Sequence, residues 1–230
     1  MRKKITLISS LIFFFQLSFY VHGEEPLDTL KNSTNDVLDI LKNPVYKDST
    51  KRDLQKEKLQ AKIRDIFDFG EMAKRTLATH WKKLTPKQKV EFTDLFSAFL
   101  QKLYIDRIQY YANTKILYLS ENMPTKLNAA VKTKIVTKIF EIPIDYRMIM
   151  KNEGWKIYDI NIAGVSLLRN YRVQFQQILM KESPDALIER LKRKVGVDRE
   201  NEFAKANECL KMYFSRLGLV LGSGFNGKSI

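Results

Sequence analysis

The stretch FEIPIDYRMIMKNEGWKIYDINI, residues 140–162, decides the fold. Ile142, Ile144, Tyr146, Met148 and Met150 alternate with Pro143, Asp145 and Arg147, a period of two that gives an extended strand one apolar and one polar face. Asn152-Glu-Gly154 supplies a turn, and Trp155 to Ile162 resumes the β-branched and aromatic enrichment of a second strand. Upstream, Ile116-Leu-Tyr-Leu119 and Ala129 to Thr137 have the same character. Four antiparallel strands are therefore expected across residues 116–162.

On either side of this meander the period is helical. Leu27, Leu30, Val37, Leu38 and Leu41 recur at three- and four-residue steps, Asn43-Pro44 breaks the run, and Leu54, Leu59, Ile63 and Ile66 resume it, which predicts two amphipathic helices. Asp68 is placed to cap a third helix running from Phe69 to Trp81. Thr85-Pro86-Lys87-Gln88 is a start signal for a fourth, with Thr85 as cap, Pro86 in the first turn and Gln88 as the capping-box partner. That helix is predicted to reach about Tyr111. Its apolar set, from Val90 through Phe92, Phe96, Phe99 and Leu103, is wider than one contact stripe needs, so it is expected to be the spine of the core. Helices return over 167–180 and, after Ser183-Pro184, another cap and first-turn proline, to about Val195. Helices, then a meander, then helices describe an α+β domain.

The amino terminus sets the compartment. Arg2, Lys3 and Lys4 precede an apolar run from Ile5 to Val21, and Val21-His22-Gly23 fits a cleavage site, so residues 1–23 are read as a signal peptide with the mature chain starting at Glu24. No cysteine follows the run to accept a lipid anchor, and the destination is read as a bacterial periplasm. The chain carries 40 Lys+Arg against 26 Asp+Glu, a net charge of +14 that falls to +11 without the signal segment. Anionic lipid head groups and acidic protein partners suit that charge, and export disfavours nucleic acid. Cys209 is the sole cysteine, so the domain is expected to stand on its packed core without disulfides.

Little in the chain points to covalent chemistry. His80 is the one histidine after the signal segment and sits beside Trp81 in an apolar pattern, with no nucleophile at a telling spacing. One histidine and one cysteine do not write a metal site. Asp145 and Asp159 on neighbouring strands are the single acid/base pair worth testing, as in a small-molecule isomerase. Gly222-Ser-Gly-Phe-Asn-Gly227-Lys228-Ser229 matches the phosphate-loop spacing, yet only Ile230 follows to build the helix that such a loop needs. Lys181, Arg190, Lys192, Arg193 and Lys194 form a basic run that reads as a solvated helix face or as a docking surface for anionic partners.

Several stretches together resemble the toluene-tolerance (MlaC) family of periplasmic phospholipid-binding proteins. They are Phe67-Asp68-Phe69 with Met72-Ala73 and His80-Trp81; Leu84-Thr85-Pro86 with Gln88, Phe92, Phe96 and Leu100; Ile144-Asp145-Tyr146-Arg147-Met148; and Trp155 to Ile160 leading into Gly164-Val165-Ser166-Leu167, Asn170-Tyr171-Arg172 and Phe175. Ala78-Thr79 stands where members often carry Leu-Gly, an exchange expected to have little effect. The resemblance implies a cupped α+β fold related to the NTF2-like group, with the long helix packed on a four-stranded sheet around a cavity for acyl chains. It implies a lipid-binding domain over residues 24–195, followed by a carboxy-terminal extension and tail, 196–230.

The implied activity is carriage of phospholipid between an outer-membrane lipoprotein complex and an inner-membrane ABC transporter, by a monomer, without catalysis, cofactor or metal. Phe96, Phe99 and Leu103 on the long helix, Ile142, Ile144, Tyr146 and Met148 on the third strand, and Val165 at the following turn are the expected lipid-lining residues. A hopanoid in the same cavity, or an NTF2-like enzyme built on Asp145 and Asp159, are the alternatives.

Overall fold

The computed structural model describes residues 25–108, 111–137, 140–152 and 154–196. The expected signal peptide, residues 197–230 of the expected extension, Cys209 and the phosphate-loop spacing at 222–229 lie outside the described residues. The order is α1 (Pro26–Lys42), α2 (Arg52–Ile66), α3 (Phe69–Leu77), α4 (Pro86–Ile108), β1 (Lys115–Thr125), β2 (Asn128–Val136), β3 (Glu141–Lys151), β4 (Gly154–Ile162), β5 (Val165–Ser166), α5 (Leu167–Leu179) and α6 (Pro184–Gly196).

Alternation in sequence becomes pairing in space. The strands form one antiparallel sheet in the order β1-β2-β3-β4-β5, a meander in which Ala129 faces Met148, Val131 faces Tyr146, Thr133 faces Ile144 and Ile135 faces Ile142. Among the described residues there are five strands rather than four. The fifth is the two-residue Val165–Ser166, which folds back on Asn161 and Ile162 through the turn Ala163-Gly164. Both turn residues have positive φ, 53° and 86°, as a two-residue hairpin of matching twist requires. The first strand runs on to Thr125 instead of stopping near Leu119, because two bulges absorb the polar Ser120 to Pro124 stretch without ending the ladder.

The predicted caps form. Asp68 accepts the Glu71 N–H at 2.8 Å, Thr85 and Gln88 exchange hydrogen bonds at 2.9 and 3.2 Å, and Ser183 accepts from the Ala186 N–H at 3.3 Å. The third helix ends at Leu77 rather than Trp81, and a 3₁₀ turn covers Ala78–Lys83. The break falls on Ala78, whose φ of 51° no right-handed helix can carry.

The long helix α4 is a spine, with a seating different from the expected one. Phe92, Phe96, Phe99, Leu100 and Leu103 are buried with Met72, Ala73 and Leu77 of α3, Tyr171 and Phe175 of α5, and Leu187, Ile188 and Leu191 of α6. Its main partners are helices, and Tyr158 of β4 is the sheet side chain packed on that cluster. Val90, expected in the apolar set, is 63% exposed. The ends of α4 and α6 are pinned together: Gln88 donates to Asp185 at 2.7 Å, Lys192 pairs with Glu91 at 2.7 Å, and Lys102 donates to the Val195 carbonyl at 2.8 Å.

The sheet has its own cover. Leu27 and Leu30 of α1 and Ile66 of α2 pack on Ala129, Val131, Met148, Trp155 and Ile157. At the far end Tyr111 and Phe140 lie with Ile135, Ile142, Ile144, Ile160 and Ile162. A third cluster, Leu59 and Ile63 of α2 with Ile105 of α4, Val37 and Leu41 of α1, joins the helical body to this cover. The β1 bulge at Leu119 shifts the strand's parity so that Glu121 stands opposite Val131 on the covered face, where it accepts the Leu27 N–H at 2.6 Å. A carboxylate thus meets the amino end of α1, whose own cap residue Glu25 makes no side-chain capping bond.

Candidate functional site

The covered face of the sheet is the candidate site. Val131 and Thr133 from β2, Ile142, Ile144, Tyr146 and Met148 from β3, and Ile160 and Ile162 from β4 lie side by side in register, with Tyr118 of β1 facing Thr133. A bulge between Arg147 and Met148 keeps Ile157 and Ile160 both on this face and releases Tyr158 toward the helical body. The result is a broad apolar wall.

A few hydroxyls interrupt it. Tyr118 shares a short hydrogen bond with Thr34 of α1, whose oxygen also reaches the Leu30 carbonyl at 2.8 Å. Thr133 donates to the Ile144 carbonyl at 3.0 Å and lies diagonally across from Tyr146 on the neighbouring strand. Burial, reinforced by the neighbouring Tyr118, pushes the Tyr146 phenol well above its ordinary range, so it stays neutral at any physiological pH. Burial also raises Tyr111 at the far end, against the opposing charge of Arg107. Neutral hydroxyls set in an apolar wall can hold uncharged polar atoms of a largely apolar ligand, and no strong acid or base is poised among them.

The residues expected to line a cavity divide into two groups. Ile142, Ile144, Tyr146 and Met148 share the covered face, and Val165 continues it at the rim, paired with Ile162 and 43% exposed. Phe96, Phe99 and Leu103 lie elsewhere, in the helical cluster, where Phe96 meets Tyr171 and Phe175 edge-on at 5.5 and 5.6 Å between ring centres. The wall therefore has members that the sequence reading left out: Leu30, Thr34, Tyr118, Val131, Thr133 and Ile160. The two-residue period of the flanking strands carries the signal for the last four.

Other candidates have structural employment. The buried Asp159 carboxylate accepts the Ser166 hydroxyl at 2.7 Å and the Leu168 N–H at 3.1 Å, so it caps the start of α5. Asp145 stands opposite Asn161 and Lys132, two positions along from Asp159. Two members of the basic run are matched by carboxylates: Arg190 pairs with Glu182, and Lys192 with Glu91 and Glu189. Lys194 lies over the Phe99 ring at 5.4 Å. His80 is half-buried in the 3₁₀ turn, and no cluster of three metal-ligating side chains occurs among the described residues. A groove of about 480 Å³ between α2 and α4 is lined by Lys56, Gln60, Arg64, Asp94 and Gln101 with Ala98, Ile105 and Val195, and no strand of the sheet contributes to it.

The model of the MlaC protein family matches residues 31–193, which span every described element but the first turn of α1 and the last of α6. The chain belongs to the MlaC family. Among MlaC relatives, the intermembrane phospholipid transport system binding protein of Haemophilus influenzae is 27% identical over 124 residues, 52% of this chain. The match spans 58% of that relative's length. A phospholipid-binding protein from Ralstonia solanacearum, solved in complex with a phospholipid, superposes with a TM-score of 0.67 at 24% identity, over 75% of this chain and 98% of the other. That likeness establishes the MlaC-type architecture of helices around an antiparallel sheet. Among the described residues no helix is long and apolar enough to cross a membrane.

Proposed function

We propose that this MlaC-family chain is an exported carrier whose domain, residues 24–195, holds phospholipid acyl chains against the covered face of its sheet and does no covalent chemistry. The observation that carries the reading is the wall itself: apolar side chains in register across the strands, broken by neutral hydroxyls and by the one carboxylate of Glu121, which is taken up by the amino end of α1, the helix that faces the wall. A signal peptide over 1–23 delivers the chain to the periplasm. There it moves lipid between an outer-membrane lipoprotein complex and an inner-membrane ABC transporter. Such a carrier is needed because each methylene entering water costs about 0.8 kcal/mol, which makes unassisted transfer of a two-chain lipid slow. The names of the Haemophilus and Ralstonia relatives support the same cargo.

The lining set is Ile142, Ile144, Tyr146 and Met148 with Val131 and Ile160, and Val165 marks the mouth. Phe96, Phe99 and Leu103 brace the helical body behind. Capping by Asp159 disfavours the enzyme reading, since a general base must be free to take a proton.

Native mass spectrometry of the mature protein from periplasm, followed by lipid analysis, tests the proposal. Bound phospholipid adding about 0.7 kDa is the expected result for two acyl chains in one pocket. Val165→Asp, at an exposed rim position, should lower lipid content severalfold while the thermal melt stays cooperative. Protein that is bare as purified and remains bare after incubation with phospholipid vesicles would overturn the reading, and a polycyclic lipid in place of phospholipid would reassign the cargo.

A further inference from the structure

The β1–β2 hairpin carries a surface that the wall does not use. Of the large apolar side chains left exposed, three fall on this one hairpin: Leu119 at 56%, Met123 at 40% and Leu127 at 58%. Their exposure is built into the ladder. Leu119 is the extra residue of the first bulge, between the Tyr118–Thr133 and Ser120–Lys132 pairs, and Met123 with Pro124 forms the second, opposite Ala129 alone. Leu127 sits in the connecting turn, which is fixed in place because the Met150 N–H donates to its carbonyl at 2.9 Å. The hairpin from 115 to 136 also holds four lysines against one glutamate, and that glutamate, Glu121, is committed to α1. Lys126 and Lys132 are exposed and make no ion pair among the described residues.

Two partners fit an exposed apolar edge: another strand, or a lipid surface. Strand addition needs a flat, regular row of N–H and C=O groups, and β1 offers two bulges and a proline instead. Apolar side chains beside unpaired lysines are what a bilayer interface with anionic head groups selects, the side chains entering the acyl boundary and the ammonium groups resting among the phosphates. We infer that the β1–β2 hairpin is a contact by which the protein rests edge-on upon an anionic bilayer, with Leu119, Met123 and Leu127 inserted and Lys126 and Lys132 at the head groups. The inference rests on the carrier reading for its purpose and has a readout of its own.

The test is flotation of the mature protein with vesicles of phosphatidylcholine containing phosphatidylglycerol, compared with phosphatidylcholine alone. Wild-type protein should float with the anionic vesicles. Met123→Ser with Leu127→Ser should weaken that association roughly tenfold, and Lys126→Glu about fivefold or more. Val90→Ser, an equally exposed position on α4, should leave it unchanged. Failure of the wild type to float, hairpin variants that float as well as wild type, or an equal loss in the Val90 variant would each overturn the inference. So would a wild-type dimer that Met123→Ser with Leu127→Ser converts to monomer. Lipid carried inside each preparation, weighed by mass spectrometry, is expected to be the same in all variants. Bare protein would sink the carrier reading, whereas loaded protein that does not float would sink this one alone.

Discussion

Two alanines in this chain sit where a glycine belongs. Ala78 has φ 51° and ψ −119° at the end of α3, and Ala163 has φ 53° in the β4–β5 turn. At positive φ a Cβ crowds its own backbone, so Ala78 holds strain; the Leu-Gly that members often carry here puts its glycine at Thr79, so that exchange is not the source of it. Ala78→Gly should raise stability by about 1 kcal/mol, the strain relieved less the entropy a glycine adds to the unfolded chain. A urea midpoint that moves up with unchanged slope would show it, and one that moves down would refute it. Tyr146 gives a pH dependence. Burial raises its phenol above the ordinary value for tyrosine in the fold, so its contribution is complete below that value and is lost as the pH climbs beyond it. Stability should therefore fall with pH above about 10, the ordinary value for tyrosine, and Tyr146→Phe should flatten that decline. An unchanged alkaline slope in the variant would mean the phenol is not desolvated in solution.

At the scale of elements, hydrogen bonds at helix starts and bulges in strands arrange the parts. Asp159 ties β4 to α5 through two bonds made in a buried place, so Asp159→Ala should cost about 2 kcal/mol by leaving the Ser166 hydroxyl and Leu168 N–H without an acceptor. Loss of a small-molecule turnover with stability intact would be the opposite outcome and would revive the enzyme reading. These elements also show what a sequence discloses. The caps at Asp68, Thr85 and Ser183 were legible because the cap residue and its partner lie within three positions. The strand alternation of β3 was legible for the same reason, and with it half of the wall. The bulges at Leu119 and Arg147 were not, since what they satisfy lies on α1 or in the helical body. The partner of α4 was hidden as well. A helix apolar around most of its girth announces that it is buried without saying against what, and its phenylalanines went to α5.

At the scale of the molecule, the interior divides between a helical body around α4 and the sheet with its cover. That division separates stability from cargo. Phe96→Ala should cost roughly 3–5 kcal/mol by opening a cavity among Phe92, Tyr171 and Phe175, yet leave lipid per folded molecule unchanged; depletion of lipid at constant fold would place α4 on the wall after all. The same division bears on α1. Its buried residues are Pro26 and Leu30, and its amino end is held by the Glu121 carboxylate on the edge strand. The rest of its hold is through half-buried Leu27, Val37 and Leu41 and the Thr34–Tyr118 hydrogen bond, so it opens at lower free-energy cost than the more deeply buried α4. Deuterium should therefore enter the amides of α1 well before those of α4, and the clock of the covered face would be set by how often this one helix lets go of the sheet and of α2 together.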